Sequence, residues 1–152
     1  MTRLLEWHEN WSSGLERLDI QHIELADCFN RVSEACRNFD SHIDRGSSTL
    51  SADLNELFDG LFQRIRAHFK YEERTMLEFN YPGVTAHKRE HVMLLAELKS
   101  ILTAEQSSAD AEKKLEILGD LKTWLIAHAN HSDSAFSTYI KKLKSKSNNV
   151  AE

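Results

Sequence analysis

Residues 68–91 read HFKYEERTMLEFNYPGVTAHKREH. His68 and Glu72 stand four residues apart, and so do His87 and His91. In a helix a step of four returns almost to the same face, so each pair presents two donors side by side, about 5–6 Å apart at Cβ. Between the pairs, Asn80-Tyr81-Pro82-Gly83 breaks any continuous helix, because proline lacks an amide donor and its ring clashes with the preceding turn. The chain therefore reverses at this point, and two donor-bearing helix faces are expected to look at each other.

Apolar residues continue the helical period on either side of this stretch. Upstream, Leu54, Leu57, Phe58, Leu61, Phe62, Ile65 and Phe69 mark a helix that starts near Thr49 to Ser51 and ends near Phe79. Downstream, Ala86, Val92, Leu95, Leu98 and Ile101 mark another, running to about Leu102. The same three-to-four spacing from Ile20 to about Phe39, with Asp19 as its N-cap, gives a first helix. Leu115, Leu118, Leu121, Trp124 and Leu125 give a last one over Ala111 to about Ala129. The polar stretches at Asp40–Ser48 and Thr103–Asp110 connect them. Four helices joined by short loops predict an all-α, up-down-up-down antiparallel four-helix bundle over residues 19–133. Residues 1–18 form an arm whose Trp7 and Trp11 are expected across the mouth of the core. Residues 134–152 form a short helical extension, over about Ala135 to Leu143, and a tail made basic by Lys141, Lys142, Lys144 and Lys146.

Composition limits the functions open to this chain. Its 152 residues fit one domain and can bury a core without a metal as an obligatory staple. A net charge of −5 argues against a nucleic-acid binder. No stretch reaches the ~20 apolar residues of a membrane span, and the N-terminus has no apolar segment of signal-peptide length, so a cytoplasmic protein with no membrane partner is expected. Cys28 and Cys36 lie eight residues apart, a rise of about 12 Å along one helix, too far for a disulfide within it. Both read as small buried hydrophobes in a reducing compartment.

The histidines place chemistry on this frame. His22, His68, His87, His91 and His128 fall on the four helices where they can share one core, joined by Glu72 and Asp133. Burying such a set without a cation leaves charges and ring nitrogens unpaired at low dielectric. Five imidazoles and two carboxylates exceed the four ligands of a tetrahedral zinc site, so two metals fit the count better, with Glu72 and Asp133 bridging. Imidazole-rich coordination suits iron, copper, nickel or zinc. The five-residue step from His128 to Asp133 leaves their side chains about 140° apart on a regular helix. Either the fourth helix ends near Ala129 or it contains a π-bulge there. Of the other histidines, His8 and His42 read as exposed. His131 reads as solvent-facing, with a hydrogen bond close to the site as the other reading.

The set His22, His68-x-x-x-Glu72, His87-x-x-x-His91 and His128-x-x-x-x-Asp133, preceded by Trp7, Gly14 and Asp19-x-Gln21-His22, resembles the ligand signature of the hemerythrins, in particular the bacterial ones, over about residues 7–140. The resemblance implies an oxygen-bridged di-iron centre. His87, His91 and His128 would hold a coordinatively filled iron, and His22 and His68 an iron with a vacant position for dioxygen. Glu72 and Asp133 would bridge the two. By the same resemblance Leu25, Phe69, Trp124 and Leu125 would wall an apolar pocket over the open iron. Ala129 departs from the larger aliphatic residue usual after this histidine, which would widen access.

The expected function is reversible dioxygen binding for storage, delivery or sensing, with a separate protein as redox or delivery partner and no catalytic residues of its own. The alternatives are a di-iron oxidase, peroxidase or nitric oxide reductase, and a buffer for iron or zinc.

Overall fold

The structure is a computed structural model and describes residues 5–6, 11–40, 48–105 and 111–149. Among the described residues five α-helices follow in order: α1 (Glu16–Asp40), α2 (Ser48–Glu78), α3 (Val84–Glu105), α4 (Ala111–His128) and α5 (Ser134–Asn149). A π-helical turn, Ala129–Asp133, joins α4 to α5. α1 packs on α2 and α4, α2 on α3, and α3 on α4. The all-α four-helix bundle follows, with α5 continuing α4 beyond it. Among the described residues no helix is long and apolar enough to cross a membrane.

The periodic apolar residues meet along the bundle axis. Phe29, Val32 and Cys36 of α1 pack with Phe58, Leu61 and Ile65 of α2, Leu94 and Leu98 of α3, and Leu118 and Leu121 of α4. Each fully buried Leu, Ile or Phe contributes about 1.5–3 kcal/mol relative to exposure. This core fills the half of the bundle away from the α2–α3 turn. Cys28 and Cys36 are both buried thiols of α1, and burial pushes the Cys28 thiol above its ordinary pKa.

A second, smaller core closes the other end. Leu18, Met76, Phe136 and Ile140 are buried together there, with Tyr71, Phe79, Tyr81 and Tyr139 packed around them. α5 is thus a working part of the fold, and longer than the extension expected from Ala135 to Leu143. The Tyr139 hydroxyl donates to the Phe79 carbonyl at 2.8 Å, which fixes α5 to the end of α2.

The breaker between the ligand pairs works as its residues predict. Asn80 adopts a left-handed φ of 52°. The Tyr81 amide then bonds back to the Met76 carbonyl at 2.9 Å, and the Asn80 amide to that of Leu77 at 3.1 Å. These are the paired bonds of a Schellman cap, which satisfy carbonyls that the end of a helix leaves open. At Gly83 a Cβ would fall 2.7 Å from the Tyr81 ring, so glycine there makes room for the ring that packs on Phe136 at 5.0 Å.

The first helix differs from its sequence reading. α1 begins at Glu16, one turn before Ile20, and Asp19 lies inside it instead of capping it. The Asp19 carboxylate accepts from the Ser13 amide at 2.7 Å, the Ser13 hydroxyl at 2.8 Å and the Ser12 hydroxyl at 2.9 Å. Gly14, at φ 81°, supplies the left-handed residue that lets the arm fold onto the carboxylate. Trp7, His8, His42 and the centres of the two connections at residues 41–47 and 106–110 lie outside the described residues.

Candidate metal centre

The seven residues singled out in the sequence converge at one level of the bundle. His68 and Glu72 come from α2, His87 and His91 from α3, His22 from α1, His128 from the last residue of α4, and Asp133 from the end of the π turn. The π turn is what admits Asp133. Its widened register brings the Ser134 amide back to the carbonyl of Ala129, five residues earlier. The extra residue absorbs the rotation that would otherwise carry the carboxylate away from His128.

Donor atoms fall into two groups. One is His87, His91, His128 and Asp133, and the other is His22, His68 and Glu72. In the first group, His128 Nε2 lies 3.1 Å from His87 Nε2 and 3.1 Å from His91 Nε2. Asp133 Oδ1 is 3.1 Å from His87 Nε2 and 3.1 Å from His128 Nε2. In the second, His22 and His68 approach to 3.0 Å through their Nε2 atoms, and Glu72 Oε2 is 3.2 Å from His68 Nε2. Both carboxylates span the groups. The other Glu72 oxygen, Oε1, is 3.1 Å from His87, and Asp133 Oδ2 is 3.9 Å from His22.

These spacings fit cations. Two donors about 2.1 Å from one ion and at right angles to each other stand about 3.0 Å apart, against about 3.4 Å in a tetrahedron. Glu72 Oε2 and Asp133 Oδ1 are buried and, among the described residues, face only imidazole nitrogens, with no hydrogen bond from any other donor. A buried carboxylate oxygen without one is costly unless a positive charge faces it.

The outer edges of the rings explain why their Nε2 atoms point inward as acceptors. His68 Nδ1 donates to Gln21 Oε1 at 2.9 Å, His91 Nδ1 to Glu73 Oε1 at 2.9 Å, and His128 Nδ1 to Glu90 Oε2 at 2.9 Å. With the proton held at Nδ1, each Nε2 keeps its lone pair for the centre. Three lone pairs and two carboxylates aimed at one volume repel one another until cations enter. The sequence reading names Gln21 only as part of the run before His22 and gives Glu73 and Glu90 no role, though each directly follows or precedes a ligand candidate in the chain. Ser132 was also missed, and its hydroxyl donates to Glu90 Oε2 at 2.5 Å. His131 is exposed.

The electrostatics follow from the same crowding of donors. Burial lowers the His87 pKa, but Asp133 and Glu72 beside it outweigh burial and hold it up at about 10. Burial, reinforced by His87 and His128, pushes His91 down to about 3. Burial would raise the Glu72 carboxyl, yet His68 and His87 hold it well below the ordinary carboxylate range. A proton on His87 thus offsets part of the carboxylate charge gathered here.

A cavity of about 330 Å³ is lined by all three residues of the second group, His22, His68 and Glu72, and by His128 and Asp133 of the first, while His87 and His91 stand back from it. Leu25, Phe69, Leu125 and Ala129 also line it, as do Trp11 and Asn130. The Trp11 indole donates to Asn130 Oδ1 at 2.8 Å. Trp124 is turned elsewhere: its ring stacks on His128 at 5.2 Å and 9°. Phe69 stacks on His91 at 3.8 Å and 4°. The cavity is not purely apolar, because Ser12, Ser13, Ser137 and Lys141 reach it from the arm and α5.

A family model for the hemerythrin HHE cation binding domain matches residues 13–140. Similar curated proteins carry the name bacteriohemerythrin. That of Stenotrophomonas maltophilia strain R551-3 is 26% identical over 138 residues, covering 91% of this chain and 82% of the relative. That of Pseudomonas aeruginosa strain LESB58 is 23% identical over 132 residues, covering 87% and 78%. That of Ralstonia nicotianae is 21% identical over 139 residues, covering 90% and 89%.

Proposed function

We propose, from the premise that the chain belongs to the hemerythrin HHE cation-binding family, that it binds dioxygen reversibly at a non-haem di-iron centre. The observation that carries this reading is the convergence of five imidazole Nε2 atoms and two spanning carboxylates in two donor groups. His87, His91 and His128 would hold one iron, His22 and His68 the other, and Glu72 and Asp133 would bridge them. The iron pair would supply the two electrons that dioxygen takes up on binding. The right-angled spacings favour a six-coordinate ion such as iron over tetrahedral zinc.

Asymmetry between the groups supports one open position. The first group offers three imidazoles and a carboxylate, and the second two imidazoles and a carboxylate, so the second leaves more of its ion uncovered. All residues of the second group line the cavity, against His128 and Asp133 alone from the first group. Leu25, Phe69, Leu125 and Ala129 form its apolar wall and limit water at the open ion. Trp124, stacked on His128, steadies the other group. Storage, delivery and sensing all remain within this reading, with a second protein as redox or delivery partner.

Cycling the iron-loaded, reduced protein between dioxygen and argon tests the proposal by visible spectroscopy. The spectrum should change with gas and return on its removal. Iron that stays ferric after a single exposure would rule out reversible carriage. A second reading, an oxidase, a peroxidase or a nitric oxide reductase, is favoured by the hydroxyls and Lys141 on the cavity wall, which bring polar groups near the open position. Sustained peroxide consumption with a reductant would establish the peroxidase form, and sustained nitric oxide consumption the reductase form.

A further inference from the structure

The three outer hydrogen bonds form a relay around the bundle. Gln21, next to His22 on α1, holds His68 of α2. Glu73, next to Glu72 on α2, holds His91 of α3. Glu90, next to His91 on α3, holds His128 at the end of α4. In each case the residue beside one helix's ligand orients the ligand of the next helix, with all three bonds at 2.9 Å.

The members of this relay differ in charge. Both supported histidines of the His87, His91, His128 and Asp133 group rest on carboxylates, whereas His68 rests on a neutral amide. A carboxylate accepting the Nδ1 proton draws it outward and leaves Nε2 richer in electrons, so the ring becomes a stronger donor. An amide oxygen does this far less. Glu90 is itself fixed by Ser132, and its side chain is 43% exposed against 20% for Glu73. Such a position does not call for a buried charge to be neutralised, so the acid there is available for tuning.

We infer that Glu73 and Glu90 are positioning residues that make the three-histidine group the stronger donor set, while Gln21 keeps the two-histidine group weaker. Under the di-iron reading on which this rests, the two metal positions are electronically unequal. The three-histidine position fills first and favours the more highly charged ion. The two-histidine position, facing the cavity, holds its ion more loosely and in the reduced state more readily.

Cobalt(II) titration of the metal-free full chain reads this without any gas chemistry. Two binding steps are expected. Glu90→Gln keeps the shape and a hydrogen-bond acceptor but removes the charge, and should weaken the tighter step about 10- to 100-fold while sparing the weaker one. Gln21→Glu adds a charge and should strengthen the weaker step. In the iron-loaded protein the first change should raise the reduction potential and the second lower it. Should Glu90→Gln fail to fold by circular dichroism, Gln21→Glu carries the test alone. Unmoved steps and potentials in the folded variants would overturn the inference and leave the di-iron reading standing. A chain that takes up only one ion would overturn both.

Discussion

At the scale of single residues, His87 is the hinge of the centre, since its Nε2 lies 3.1 Å from oxygens of both carboxylates. With its pKa held up at about 10, the metal-free site carries a proton there at neutral pH. Cation and proton compete for the same lone pair, so metal uptake must expel it. Between pH 7 and about 10 the apparent metal affinity should therefore rise about tenfold per pH unit, with about one proton released per chain. Calorimetric titration in buffers of different ionisation enthalpy measures that release, and an affinity flat across the range would contradict it. His68 allows a second test. The change His68→Ala removes a donor from the two-histidine group but takes no member from either hydrophobic core, so under the di-iron reading iron per chain should fall from two toward one, with gas-dependent spectral change lost and helical circular dichroism kept. Two irons retained with unchanged oxygen uptake would refute the assignment of this residue.

At the scale of elements, two departures from regular helix build the site. The π turn Ala129–Asp133 lies where the five-residue spacing requires either a break or a bulge. Its position was legible from His128 and Asp133 alone, but the choice between the two was not. That choice depends on whether a helix continues beyond the turn, and α5 does so because Phe136 and Ile140 have a core to enter. The start of α1 was misread for a related reason. Asp19 has the chemistry of an N-cap, and only the folded arm shows that Ser12 and Ser13 use its carboxylate from outside the helix. Asp19→Ala should cost about 1–3 kcal/mol, because it strips a charged acceptor from three donors. It should also free the arm, read as faster proteolysis near Gly14. Unchanged stability and unchanged cleavage would show that the arm is held by its apolar contacts.

For the molecule as a whole, the candidate metal centre lies between two hydrophobic cores that contain none of its seven residues. Chelation should leave the far-ultraviolet spectrum helical while lowering the melting temperature. A cation at about 100 times its dissociation constant contributes about 2.7 kcal/mol by mass action. In a chain of this size that corresponds to a shift of roughly 5–10 °C. Unfolding on chelation would mean that the lone-pair and carboxylate repulsion at the centre exceeds what the cores supply. α5 bears on the same balance, since it joins the ends of α1 and α2 and lines the cavity through Ser137 and Lys141.

The sequence by itself determined the bundle, and it singled out the candidate donors, because apolar stripes and the pairs His68/Glu72 and His87/His91 are periodic. A helix repeats every 3.6 residues, so apolar stripes and donors four apart announce which face turns inward. The tertiary structure decided what has no period. Gln21, Glu73 and Glu90 sit one step from their own helix's ligand, and only the juxtaposition of neighbouring helices reveals which histidine each one holds. Much of the polar share of the cavity likewise comes from Ser12, Ser13, Ser137 and Lys141, which carry no helical donor pattern and reach it only when the arm and α5 close over the end of the bundle.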